Sequence, residues 1–181
     1  MRVEVMHSPE ERDWFGVRRR ALVTVGKLPN PDKKTDFEWQ KKMLRCRHSP
    51  IRYLRFSFLL KDIPYWVHAE LCRHHIGIEK YVKSQRDDRN NNDIPRSEKP
   101  QGALVDMIVD VNAEALMTLM NKRLCGCATK EMQELMLLIR KEVIWKNPEF
   151  TDFLVPMCEY QHECKECCPC NHKALYFCEA K

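Results

Sequence analysis

From Tyr53 onward the chain alternates: Leu54, Phe56, Phe58 and Leu60 fall on one side, with Tyr53, Arg55 and Ser57 on the other. Successive side chains of extended backbone point to opposite faces, so this pattern predicts a half-buried strand. A second alternation sets Val105, Met107, Val109 and Val111 against Leu104, Asp106, Ile108 and Asp110. Val3 and Val5 predict a short first strand. Elsewhere the spacing is helical. Pro9 opens a helix through Trp14, Val17 and Ala21 with Ser8 as its N-cap, and a second runs from Thr35 to Arg47 on Phe37, Met43 and Leu44. Asp62 and Pro64 start a third helix, which Gly77 ends. Asn112 caps a fourth along Leu116, Leu119, Met120 and Arg123; Gly126 breaks the chain. A strongly amphipathic helix then carries Met132, Leu135, Met136, Ile139 and Val143.

The stretches Gly26 to Lys34 and Ser84 to Gly102 are polar and proline-containing, hence loops. The chain has no internal repeat. The order β-α-α-β-α-β-α-α predicts a single α+β domain over residues 1–157, a mostly antiparallel sheet flanked by helices, followed by a Cys-rich tail at 158–181.

Composition adds bounds. The 181 residues suffice for one domain with a real core, and 44% apolar with 31% charged residues describes an ordinary globular protein. No apolar run approaches the roughly 18 residues of a membrane span, and the charged N-terminus has no signal-peptide core, so a cytoplasmic location is expected. Basic residues gather at Arg18, Arg19 and Arg20 and between Lys41 and Arg55. They suit a solvated face, an anionic ligand such as a nucleotide, flavin or folate, or nucleic acid.

Ten cysteines in such a chain read as reduced thiols, metal ligands or redox groups. Cys46, Cys72, Cys125 and Cys127 are scattered; Cys158, Cys164, Cys167, Cys168, Cys170 and Cys178 crowd the tail. The two-residue gaps around Cys164, Cys167 and Cys170 let one cation collect several thiolates, and Cys158, Cys168, His162 or His172 can complete a tetrahedral set. The expected site is a structural zinc on Cys158, Cys164, Cys167 and Cys170; an iron–sulfur cluster or unliganded thiols are the alternatives.

The segment from Arg47 to Arg89 is the most informative. It places Arg73, His74 and His75 in the last turn of a helix that follows a strand, where cations also serve simply to cap the helix dipole. Ser84 and Arg86 follow in the next loop. Arg123 reads either as an exposed helix charge or as a fixed guanidinium fork suited to stabilising negative charge on a ligand oxygen. His68 reads as a core histidine before a ligand.

In this order the segments resemble the flavin-dependent thymidylate synthases. That family carries a Ser/Thr-Pro pair before a strand, a Pro-started helix, Arg-His-Arg, Ser-x-Arg about ten residues on, and an Asn-Ala with a catalytic Arg about eleven residues later. Here these stand as Ser49-Pro50, Pro64, Arg73-His74-His75, Ser84-Gln85-Arg86, and Asn112-Ala113 with Arg123. The collinear set covers roughly residues 1–155, and a shorter, phage-like branch fits more closely. The departures are His75 for the second arginine, Asp87 for a tyrosine, Thr118 for an asparagine and Cys127 for a histidine. A family glutamate that contacts the nucleotide has no counterpart in register, and part of the central region is missing.

The resemblance implies FAD bound through Arg73, His74, His75, Ser49 and Asn112, and a pyrimidine nucleotide, dUMP, held by Ser84, Arg86 and Arg123. It implies methylenetetrahydrofolate and NADPH as cosubstrates, Arg123 as the catalytic group, and a homotetramer with sites between subunits. Neither nucleic acid nor membrane is an expected partner. A hydroxymethylating homologue acting on another pyrimidine, and a metal-stabilised nucleotide-binding module without catalysis, are the other readings.

Overall fold

The computed structural model describes residues 1–28, 30, 34–89, 94–170 and 174–176. Within these, a four-stranded antiparallel sheet is built from β1 (Arg2–His7), β2 (Arg55–Pro64), β3 (Ile78–Val82) and β4 (Leu104–Asn112), in the order β1-β2-β4-β3. Register places like with like. Phe56 pairs with Val111, Phe58 with Val109 and Leu60 with Met107, while Val5 lies opposite Phe58 and Ile78 opposite Val111. One face is therefore continuously apolar. A slip of one residue would turn every one of these side chains outward.

The helices are α1 (Glu11–Val23), α2 (Phe37–Arg45), α3 (Tyr65–Cys72), α4 (Ala113–Arg123), α5 (Lys130–Lys146) and the short α6 (Met157–Gln161), of which α3, α4 and α5 pack on the strands. Met132, Leu135, Met136, Ile139 and Val143 of α5 are all buried, as their spacing requires. Phe56 stacks beside Phe58 and meets Phe150 edge-on, with centroids 5.2 Å apart. Trp14 packs on Phe150, and its indole N–H donates to the buried Glu149 carboxylate at 2.9 Å. A buried indole needs such an acceptor.

The sequence expectations need correction at several element ends. Helix α1 is capped by Glu10 and not Ser8: the backbone N–H of Glu10 donates to Asp13 Oδ2 at 2.9 Å in a reciprocal capping box. Helix α2 is shorter than Thr35–Arg47, because the Asp36 side chain caps it by accepting from Trp39 N at 2.8 Å, and Arg47 turns left-handed at φ 46°. Its Phe37 is exposed and not on the inner face. Asp62 does not start a helix. It sits in a bulge of β2 at φ 58°, its N–H bonded to Asp106 Oδ1, and α3 begins only after Pro64. Helix α3 ends at Cys72, so Arg73 is its C-cap and His74 and His75 lie beyond it. Gly77, at φ 73°, instead turns the chain into β3, an edge strand the sequence reading missed. Five residues with two charges give too short an alternation to register.

Asn112 performs as expected, its Oδ1 accepting from Ala115 N at 2.9 Å. Farther along α4, Arg47 donates to Thr118 Oγ1 and to the buried Asn121, and Asn121 in turn donates to the carbonyl of Val155 at 2.7 Å. This chain of bonds pins α4 between the α2 terminus and the segment entering α6.

Candidate functional site

A cavity of about 570 Å³ runs along one side of α4. Asn112, Ala115, Thr118 and Lys122 recur at helical spacing on its floor, and the turn from Arg73 to Ile78 forms its opposite wall. Arg52 closes one end, ion-paired to Glu114. Three permanent cations, Arg52, Arg73 and Lys122, thus face the cavity against one carboxylate, Glu114. The N-terminus of α4 adds its positive end. Gly77 and Ala115 keep the walls low. A Cβ on Gly77 would lie 2.2 Å from Asn112 Nδ2, so the glycine is what lets the wall approach the α4 cap.

Behind His74 stands Arg123. Its Nε–H donates to His74 Nε2 at 2.9 Å, and Nη1 pairs with Glu70 Oε2 at 3.3 Å. Glu70 also accepts from the hydroxyl of Thr129 at 2.9 Å. Helix α3, the α4 terminus and the start of α5 are therefore tied together by one guanidinium and one carboxylate, each about a fifth exposed. Lys80 of β3 donates to the carbonyl of His74. The His74 imidazole is held well below its ordinary range, at about 4, first by burial and then by the charges of Arg123, Lys122, Lys80 and Arg73. It is neutral at physiological pH. Because the arginine N–H can only donate, Nε2 carries the lone pair and the proton resides on Nδ1.

Of the residues singled out from sequence, Arg73, His74, His75 and Asn112 line the cavity, and Arg123 reaches it through His74. Ser49 starts the 3-10 turn that delivers Arg52 and is not itself on the wall. Ser84 and Arg86 lie elsewhere: Arg86 forks onto Asp88 at 2.9 and 2.7 Å, and its N–H donates to Ser84 Oγ. His68 is half-buried away from the cavity, its Nε2 beside the Cys72 thiol at 3.1 Å. Sequence reasoning missed Arg52, Glu70, Glu114 and Lys122. Glu70 was discoverable, three and four residues before Arg73 and His74 on one helix face.

Among the described residues no group of three or more His, Cys, Asp or Glu side chains is arranged to hold an ion as it stands. Cys164 and Cys167 are exposed, while Cys158 and Cys170 are half-buried. His172 and Cys178 lie outside the described residues. Among those residues, too, no helix is long and apolar enough to cross a membrane.

No protein-family model and no curated protein matches the sequence. Solved structures do match the fold. Thymidylate synthase X from Helicobacter pylori, complexed with FAD and dUMP, superposes with TM-score 0.68 over 86% of this chain and 100% of its own, at 16% identity. A second crystal structure of the same Helicobacter pylori enzyme with FAD and dUMP gives 0.62 over 78% and 92%, at 18% identity. A UMP/dUMP methylase, PolB, from Streptomyces cacaoi bound with 5-Br dUMP gives 0.66 over 84% and 96%, at 16% identity. The chain has the fold of the flavin-dependent thymidylate synthases.

Proposed function

We propose that this protein is a flavin-dependent enzyme that transfers a one-carbon unit from methylenetetrahydrofolate to C5 of dUMP, with NADPH as reductant. The observation that carries the reading is Arg73 and His74 on one cavity wall, with Arg123 bonded to His74 behind it, on a fold whose solved examples hold FAD and dUMP. The cavity suits a flavin nucleotide on its own chemistry. Arg52, Arg73 and Lys122 offer charge-assisted bonds to a pyrophosphate, and the low wall at Gly77 and Ala115 admits a flat ring. Its volume lies within the roughly 300–1,000 Å³ of small-molecule sites.

In this reading Arg73, His74, His75 and Asn112 hold the cofactor, with Ser49 supporting from the preceding turn. When bound, the flavin supplies the redox chemistry that a transfer and reduction of a one-carbon unit requires. The protein's part is electrostatic. Arg123, oriented by Glu70 and His74, presents a rigid donor fork to a pyrimidine carbonyl and stabilises the charge that develops there. Neutral His74 serves this better than an imidazolium, since it accepts from Arg123 instead of repelling it. Ser84 and Arg86 are assigned to the nucleotide phosphate, for which Arg86 exchanges Asp88 for the ligand. The nucleotide site is completed by another copy of the chain in a homotetramer.

One observation favours a second reading, an altered pyrimidine substrate. Thr118, where the resembled family has asparagine, is occupied by Arg47 and by the carbonyl of Glu114. The deciding experiment is anaerobic single turnover of the reduced flavoprotein with dUMP and methylenetetrahydrofolate, the nucleotide identified by mass. A methylated product supports the synthase; flavin binding with no alkylated dUMP rejects it and leaves the altered-substrate reading.

A further inference from the structure

The turn between α4 and α5 reads Cys125-Gly126-Cys127. The space that a Cβ on Gly126 would need is taken by Cys170, whose Cβ and Sγ each lie 2.8 Å from that position. The tail therefore rests directly on the peptide unit that joins two cysteines. Glycine is what permits the approach. Cys127 Sγ bonds the carbonyl of Cys168 at 3.5 Å, and Ala174 N comes within 3.2 Å of the same Gly126 position. Ala174 is fully buried, and Leu175 N donates to Gln133 Oε1 at 2.9 Å, so this return of the tail is packed and bonded.

Cys158 lies on α6, which packs against α4. It has Cys125, Cys164 and Cys170 among its charged neighbours, and Cys127 has Cys125 and Cys170 among its own.

We propose that Cys125, Cys127, Cys158 and Cys170 form a tetrathiolate site for a zinc ion, which ties the tail to the α4–α5 turn. The site is independent of the flavin reading. Cys-Gly-Cys supplies two ligands from one tight turn, and the tail supplies two more from separate points, the split arrangement of a structural site. It replaces the tail-only set in two positions. Cys164 and Cys167 are exposed, whereas Cys170 is packed against Gly126 in the turn that carries Cys125 and Cys127. Zinc binding must draw these thiols together, since as the chain stands no three of them are arranged to hold an ion, and Cys127 must leave the Cys168 carbonyl. Each Zn–S bond replaces an S–H bond, with the proton passing to solvent, so binding weakens as pH falls. A zinc ion here stabilises a tail whose residues 161–169 are all exposed and bury little surface of their own.

The test uses the full chain, stripped with chelator under reducing conditions and titrated with Co²⁺ as a spectroscopic probe, then Zn²⁺. We expect one Co²⁺ per chain, with intense thiolate charge transfer and the visible bands of a tetrahedral site, displaced by Zn²⁺. Cys125→Ser and Cys170→Ser weaken binding by more than the roughly 10–100-fold that loss of an outer-shell partner costs, while Cys164→Ser and Cys167→Ser leave it unchanged. Because a ligand variant can also unfold, wild-type protein is alkylated with and without Zn²⁺ and the protected thiols are mapped by mass. Protection of Cys125, Cys127, Cys158 and Cys170 supports the site. Protection confined to tail cysteines, a disulfide at Cys170 that survives reduction, or absence of Co²⁺ binding overturns it.

Discussion

The Nε–H of Arg123 donates to Nε2 of His74 across 2.9 Å, joining the end of α4 to the turn that leaves α3. Arg123 thereby fixes the tautomer of His74 and, after burial, helps to keep it neutral, while His74 with Glu70 fixes the plane of the guanidinium. Removing either partner alters the other.

His74 makes stability depend on pH with a definite sign. Its folded pKa, about 4, lies below the ordinary 6.5, so the unfolded chain takes up a proton first as pH drops. The contribution is fully present above about pH 6.5 and drains as pH falls toward about 4. Arg123, Lys122, Lys80 and Arg73 all face the ring and all oppose its protonation. His74→Gln keeps an acceptor for Arg123 but cannot titrate. Urea midpoints across this range should decline less in the variant than in wild type. Parallel curves would remove His74 from the account.

Arg123→Lys keeps a positive charge and loses the planar fork. Single-turnover rates should fall by about 10²-fold or more, as for loss of one oxyanion-hole donor. Nucleotide affinity should change far less, because the interaction strengthens only as charge develops. Equal turnover in the variant would exclude Arg123 as the catalytic group.

Arg73→Ala deletes an exposed cation from the cavity wall without touching the core. Loss of a charge-assisted bond of about 1.5–3 kcal/mol should weaken flavin binding by roughly tenfold or more. Flavin titration of the folded variant checks this, and unchanged affinity would reject Arg73 as a cofactor ligand.

Gly77→Ala tests the wall itself. The position has φ 73°, and the added Cβ would meet Asn112 Nδ2 at 2.2 Å. Left-handed backbone at a non-glycine residue costs about 1–3 kcal/mol, and displacing the α4 cap costs about a further 1. Chemical denaturation should show a loss of roughly 2–4 kcal/mol by these sums, with Asn112→Ala alone near the smaller figure. A neutral Gly77→Ala would mean that the turn relaxes.

By itself the sequence determined the strands β2 and β4, the buried stripe of α5 and the Asn112 cap, because each is a local matter. Burial on one face imposes a period, and a cap needs only a side chain three residues from its donor. The motif order around Arg73 and Asn112 was legible for the same reason. Only the tertiary structure decided which of these residues meet. His74 and Arg123 are 49 positions apart, and their contact depends on β3 and β4 pairing so that Gly77 lies over the α4 cap. Edge strand β3 was invisible because five residues, three of them charged or exposed, are too few to carry a clear periodicity. Ser84 and Arg86, about ten residues after Arg73 in the motif, lie off this cavity, with Arg86 forked onto Asp88. Cys125 and Cys127 looked scattered until the fold laid Cys170 on Gly126. Periodicity reports the burial of each residue separately; contact between distant residues is set by sheet register and helix packing, which no local pattern encodes.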